Sequence, residues 1–213
     1  MNPNCFNIIF LITISCLFTT CKIQNRKTIT QNSITPDSDT NRSAFINPLT
    51  EIKIGEQTWD AANLQVTHFK NGDLIPQAKT PEAWEKAGSS KKPAWCYYHN
   101  DSTNNDKYGK LYNWFAVNDK RGLAPIGWHI ASDSEWAKLI NYLGGEAIAG
   151  TKIKSNHGWN EKGNGTNSTG FTAPPGGYRF RNGIFNAEGY FVSWWISTEY
   201  FTFSSWFYSL RYD

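Results

Sequence analysis

The residues that could do chemistry in this chain are few, and the first to weigh is Cys96 with His99 three positions on. A thiol and an imidazole make a nucleophile and its base only if they face each other. On an extended segment, positions three apart point to opposite sides. Trp95, Tyr97 and Tyr98 surround the thiol with rings rather than with the cationic setting that makes a thiolate, so Cys96 reads as a small buried hydrophobe. His68, His129 and His157 are scattered and offer no convergent titratable set. No catalytic residue and no cofactor are assigned, and no enzyme is expected. The stretch Asn100, Asp101, Asn104, Asn105, Asp106 could present oxygens to a hard cation such as calcium. Asx-turn chemistry accounts for the same residues, and no metal ligands are assigned. The remaining chemistry is aromatic. Trp194 and Trp195 are neighbours on a strand and should point to opposite faces, so one of them faces outward unless the strand is covered on both sides. With Trp206 they are the candidate ligand-binding rings, able to stack on a sugar or cover a partner's apolar surface.

These side chains need elements to position them, and the clearest is centred on Gly127–Trp136. Trp128, His129 and Ile130 read as a strand; Ser132 and Glu135 form an S-x-x-E capping box that opens a helix. Trp136, Leu139, Ile140 and Leu143 then fall on one helical stripe, which predicts a main helix over 133–143, ended by Gly144 and Gly145. Thr80, Pro81 and Gly88 punctuate a shorter helix over 81–87. Ile52–Ile54 and Gln57–Trp59 form a hairpin around Gly55-Glu56. Segments 95–98 and 110–117 read as extended and aromatic, 158–189 as short strands between Gly- and Asn-rich turns, and 191–212 as strand. The fold class is α+β.

The chain has 213 residues, 39% hydrophobic and 18% charged, with ten Trp and a net charge of +3. It has no run of Lys and Arg able to release several phosphate counterions, which argues against a nucleic-acid partner. Up to Cys21 there is no charged side chain, and the apolar run Ile8–Phe18 is shorter than the ~20 residues a spanning helix needs. It occupies the place of a secretory h-region. Leu17-Phe18-Thr19-Thr20-Cys21 resembles a bacterial lipoprotein signal, so residues 1–20 are expected to be a signal peptide and Cys21 the lipid attachment site. Export to the periplasm or the outer-membrane surface follows, with the membrane as partner through the anchor. Residues 21–46 read as a disordered polar tether, and residues 47–213 as the folded domain. Once Cys5 and Cys16 leave with the signal and Cys21 carries lipid, Cys96 has no disulfide partner.

Several motifs recur together in one order: Ile54-Gly55-Glu56-Gln57-Thr58-Trp59 with Asn63-Leu64, Trp95-Cys96-Tyr97-Tyr98, Tyr108 to Trp114, Gly127-Trp128-His129-Ile130, Leu143-Gly144-Gly145, Pro175-Gly176-Gly177, and Trp194 to Glu199. In this the domain resembles the Fibrobacter succinogenes major paralogous domain family of exported proteins and lipoproteins in Bacteroidetes-type bacteria. The resemblance implies a compact C-type lectin-like or sulfatase-modifying-factor-like fold and no established activity. Asp60, Ala62, Ala131 and Pro174 depart from the family pattern and read as surface or loop changes. The family's closing strand after the Trp206–Asp213 segment is absent, so the domain is expected to be C-terminally truncated, with Trp206, Phe207, Tyr208, Leu210 and Tyr212 unusually exposed. The expected function is a non-catalytic cell-envelope surface module that binds glycan or an envelope protein. The alternative is a structural scaffold or inactive truncated paralogue, and an enzyme of sulfatase-modifying type is disfavoured, because it would need a cysteine pair.

Overall fold

Alternation and turn chemistry produce the first hairpin where they predict it. In a computed structural model, which describes residues 20–22, 49–201 and 204–213, β2 (Glu51–Ile54) and β3 (Gln57–Asp60) pair antiparallel around Gly55. Gly55 sits at φ 61°, where a Cβ would lie 2.9 Å from the Tyr142 ring, a conformation and a close approach that both favour glycine. Ahead of this hairpin in sequence, β1 (Thr20–Lys22) is inserted between β3 and β6 (Trp128–Ile130), antiparallel to both. The sheet order is therefore β2-β3-β1-β6. The first two residues of the expected tether, Cys21 and Lys22, are thus strand; residues 1–19 and 23–48, with most of the expected signal and tether, lie outside the described residues.

Helix α1 (Pro81–Ser89) starts as expected, with the Thr80 hydroxyl accepting from the Ala83 N–H at 3.1 Å. It runs past Gly88, because the left-handed turn that ends the chain's helical course is taken by Lys91 at φ 55°. The short strand β4 (Trp95–Cys96) pairs with β5 (Leu111–Tyr112). Between them lie two 3₁₀ turns and α2 (Asn105–Tyr108). The expected extended run to Val117 stops at Tyr112. The Asn113 side chain there accepts from the Ala116 N–H at 3.0 Å and caps α3 (Trp114–Val117), so a local side-chain bond overrides the aromatic strand preference.

The capping box forms as predicted at α4 (Asp133–Tyr142), with Leu143 as its last cap residue. The Ser132 N–H donates to Glu135 Oε2 at 2.8 Å, and His129 Nε2 lies 2.7 Å from Oε1 of the same carboxylate. Burial by itself would raise the Glu135 carboxyl, but hydrogen bonds from His129 and Ser132 more than offset it and hold it at about 2. A carboxylate held below its unfolded value of 4.5 stabilises fully above that value and loses its contribution as pH falls toward 2. The stability of the wild type should therefore drop across pH 4.5 to 2 by on the order of 1–3 kcal/mol more than that of Glu135→Gln. Parallel acid-denaturation curves for the two proteins would remove Glu135 from this role. Gly144 and Gly145, at φ 102° and 92°, end α4, but the chain then forms α5 (Glu146–Ile153), which has no side-chain cap.

The second sheet runs β10-β9-β7-β8, from β7 (Gly176–Arg179), β8 (Phe185–Glu188), β9 (Phe191–Phe201) and β10 (Ser204–Arg211). It stands between two apolar clusters. Val192, Trp194 and Ile196 enter the first, with Trp59, Trp136, Phe171, Tyr208 and Leu210. Trp195 enters the second, with Trp114, Trp128, Ile130 and Phe207. A strand buried on both faces hides both members of an alternating pair. For the same reason Phe207, Tyr208 and Leu210 are buried and Tyr212 is half-buried, which corrects the expectation of an exposed end; the side chain of Trp206 lies outside the described residues. Two departures from the family pattern are also internal. Ala131 is fully buried, and buried Asp60 accepts from the Thr50 and Ala62 N–H groups at 3.0 and 3.1 Å. Burial raises the Asp60 carboxyl.

Candidate functional site

A set of polar groups from remote segments is assembled at the surface around Glu188, at the end of β8. Its carboxylate accepts from the Tyr108 hydroxyl at 2.7 Å. His99 Nε2 and Lys107 Nζ each lie 3.6 Å from it, and the Glu188 side chain is 38% exposed. The four residues come from three places in the chain: the 3₁₀ turn after β4, helix α2 and the β7–β8 hairpin. Rings form the walls, with His99 4.4 Å from Tyr98 and 5.3 Å from Phe185 between centroids.

Local backbone conformation sets these side chains. His99 and Asn100 lie at φ 54° and 58°, and Ala187, next to Glu188, at φ 61°. Left-handed conformations at non-glycine residues cost about 1–3 kcal/mol each and persist where surrounding structure imposes them. Part of the imposition is visible. The Asn104 side chain donates to the Tyr98 carbonyl at 3.1 Å, and the Tyr98 hydroxyl to the Asn186 carbonyl at 3.3 Å. Burial, reinforced by the Glu188 charge, pushes the Tyr98 hydroxyl up to about 12. Burial and the bond to Glu188 raise that of Tyr108 as well. Both phenols therefore stay protonated and act as hydrogen-bond donors at neutral pH.

Behind this surface lies Arg179, fully buried. Its guanidinium sits between the rings of Trp84 and Phe185, 4.8 and 4.5 Å from their centroids. It donates to the Gly183 and Ala78 carbonyls at 2.9 and 3.0 Å and to Asn100 Oδ1 at 3.4 Å. Arg179 thus ties the hairpin to the turn that carries His99. Neither Arg179 nor Glu188 stands out in the sequence: each is a lone charged residue whose partners come from remote segments.

The residues singled out from the sequence fall elsewhere. Trp194 and Trp195 are 0% and 3% exposed, so the two candidate ligand-binding rings belong to the core, each held on its own side of β9. Their indole N–H groups are engaged, with Asn63 Oδ1 at 3.3 Å and the Tyr112 carbonyl at 3.1 Å. Cys96 is a free, fully buried thiol, which burial pushes up to about 11. It lies beside Arg179, whereas His99 turns toward Glu188. The chain leaves the strand at Tyr97, so the separation of the two comes from a turn and not from strand alternation. In the Asn100–Asp106 stretch three side-chain oxygens already accept from protein donors: Asp101 Oδ1 from the Thr103 N–H at 2.9 Å, Asn105 Oδ1 from Lys110 Nζ at 2.8 Å, and Asn100 Oδ1 from Arg179. Among the described residues no group of three or more His, Cys, Asp or Glu could hold a metal ion. The backbone of Cys21 lies within β1.

No curated protein and no solved structure matches the chain. The family model of the Fibrobacter succinogenes major domain matches residues 52–211. That span takes in the hairpin, the capped helix, the Glu188 cluster and both strands of the closing ribbon, and by it the chain belongs to the Fibrobacter succinogenes major domain family.

Proposed function

We propose that the domain is a non-catalytic binding module of the cell envelope, of C-type lectin-like fold, held at the membrane by lipid on Cys21 and taking a glycan or an envelope protein at the Glu188 cluster. The observation that carries this reading is the half-exposed carboxylate with Tyr108, Lys107 and His99 gathered on it and the rings of His99 and Phe185 beside it. A carboxylate and an ammonium can exchange hydrogen bonds with sugar hydroxyls or a polar peptide, and flat rings supply a stacking face. The left-handed residues that hold the cluster are the kind of backbone strain found at binding sites. The burial of Cys96 supports a role without a nucleophile.

Two measurements test the reading. Cys21→Ser should move the protein out of the membrane fraction, and unchanged retention would remove the lipid anchor from the proposal. On a glycan array and an envelope-protein blot, Glu188→Ala should lower binding by about tenfold or more, as expected for loss of a charged hydrogen-bonding group, with no dependence on added calcium. Wild-type protein that binds neither class, or a variant that binds as well, would sink the assignment of the site and leave the structural-scaffold reading.

A further inference from the structure

The first sheet contains a strand that does not belong to its neighbourhood in sequence. β3 and β6 are not paired to each other; Thr20–Lys22 lies between them, with Cys21 opposite Trp59 on one side and Thr20, Cys21 and Lys22 opposite Ile130, His129 and Trp128 on the other. The two walls of this gap are held by separate packing. On the β3 side, Trp59 is anchored in the first cluster against Trp136 and Phe171, and the Gln57 side chain donates to the Glu135 carbonyl at 3.0 Å. On the β6 side, Trp128 and Ile130 are anchored in the second cluster, and the Ser197 N–H donates to the Ala131 carbonyl at 3.0 Å. Both walls therefore have anchors outside β1. Each would present a free strand edge without an occupant, and a free edge recruits extended backbone.

We propose that the gap between β3 and β6 is a preformed strand-accepting slot for extended peptide backbone, and that its occupant in the unprocessed chain is the chain's own Thr20–Lys22 segment, docked as an exchangeable strand that loss of residues 1–20 and lipid on Cys21 would withdraw. Recognition is by backbone hydrogen bonds to both sides, antiparallel in each ladder, so the slot selects an extended conformation before it selects a sequence. Residues 23–50 connect the occupant to β2, a length of chain that can span the distance with the segment in or out of the slot. The slot is separate from the Glu188 cluster and does not depend on a ligand there.

The register supplies the test. Directly opposed residues in an antiparallel pair bring Cα atoms to ~4.5–5.5 Å, within the range a disulfide spans. In the full chain produced in the cytoplasm, where Thr20 is retained and Cys21 keeps its thiol, His129→Cys with Cys5→Ser and Cys16→Ser to remove competing thiols should on mild oxidation give an intramolecular bond between Cys21 and the introduced cysteine, identified by peptide mapping. A bond between two chains, or none, would overturn the assignment of the occupant. Because His129 also bonds Glu135, a second variant keeps the test independent of that site. Cys21→Pro removes an N–H from the middle of the ladder, and hydrogen exchange at residues 57–60 and 128–130 should accelerate by about tenfold or more. A free peptide of residues 18–24 added to that variant should restore the protection. Exchange that neither rises in the variant nor falls with the peptide would overturn the slot itself.

Discussion

Replacing Trp136 with alanine is expected to cost about 3–5 kcal/mol of folding stability, the upper range for loss of a large buried side chain. The position is the junction of the first cluster. The Trp136 ring stacks on Tyr208 at 5.0 Å with 16° between planes, and meets Trp59, Trp194 and Phe171 at 5.2, 5.4 and 5.9 Å. Those rings belong to β10, β3, β9 and the segment ahead of β7, so one side chain on α4 joins both sheets to the helix. Its indole N–H is buried without a partner, which makes Trp136→Phe an informative control. Phenylalanine keeps an aromatic ring and removes an unpaired donor, and should cost about 1–2 kcal/mol. A denaturant midpoint for the alanine variant within about 1 kcal/mol of wild type would mean that α4 does not lie on this cluster.

The second large effect is expected at Gly177, on β7 under the Glu188 cluster. Its φ is 61°, and an added Cβ would lie 2.3 Å from the Asn186 carbonyl oxygen, 2.9 Å from the Glu188 nitrogen and 3.0 Å from the Tyr98 hydroxyl. Gly177→Ala therefore combines a left-handed alanine, about 1–2 kcal/mol, with overpacking against backbone, about 1–3 kcal/mol. The clash falls on the residues that place Glu188, so the hairpin must shift and the distances from Glu188 to Tyr108 and His99 with it. Gly72 separates the two causes: it has φ 91° with nothing within 4 Å of an added Cβ, and Gly72→Ala should show the conformational cost alone. Equal losses for the two variants in denaturant melts would show that the close approach of β7 and β8 is not the source.

The parts of this molecule that were legible in the sequence are those whose cause is local. The turn at Gly55, the Thr80 cap with Pro81, and the Ser132 and Glu135 capping box each rest on bonds between residues a few positions apart, so residue type and spacing suffice to place them. The stripe Trp136, Leu139, Ile140 was legible as the buried face of α4 for the same reason. Helix α5 was not, since it has no capping side chain and a glycine inside it, and what buries Ala149 and Ile153 is the first cluster rather than propensity. The family's ordered motifs were visible from the residues, and the match over residues 52–211 agrees with them.

Tertiary structure alone decided which aromatic rings are available. Alternation correctly sends Trp194 and Trp195 to opposite faces, but whether either face is open depends on what packs there, and α4 lies over one face and the Trp114 segment over the other. Only the folded chain gathers His99, Lys107 and Tyr108 on Glu188, a residue 80 positions beyond Tyr108, because that contact follows from the pairing of β7 with β8 and of β4 with β5. The placement of Thr20–Lys22 between β3 and β6 is of the same kind. A strand's own residues specify extended backbone, whereas its neighbours are chosen by which edges the rest of the sheet leaves unpaired.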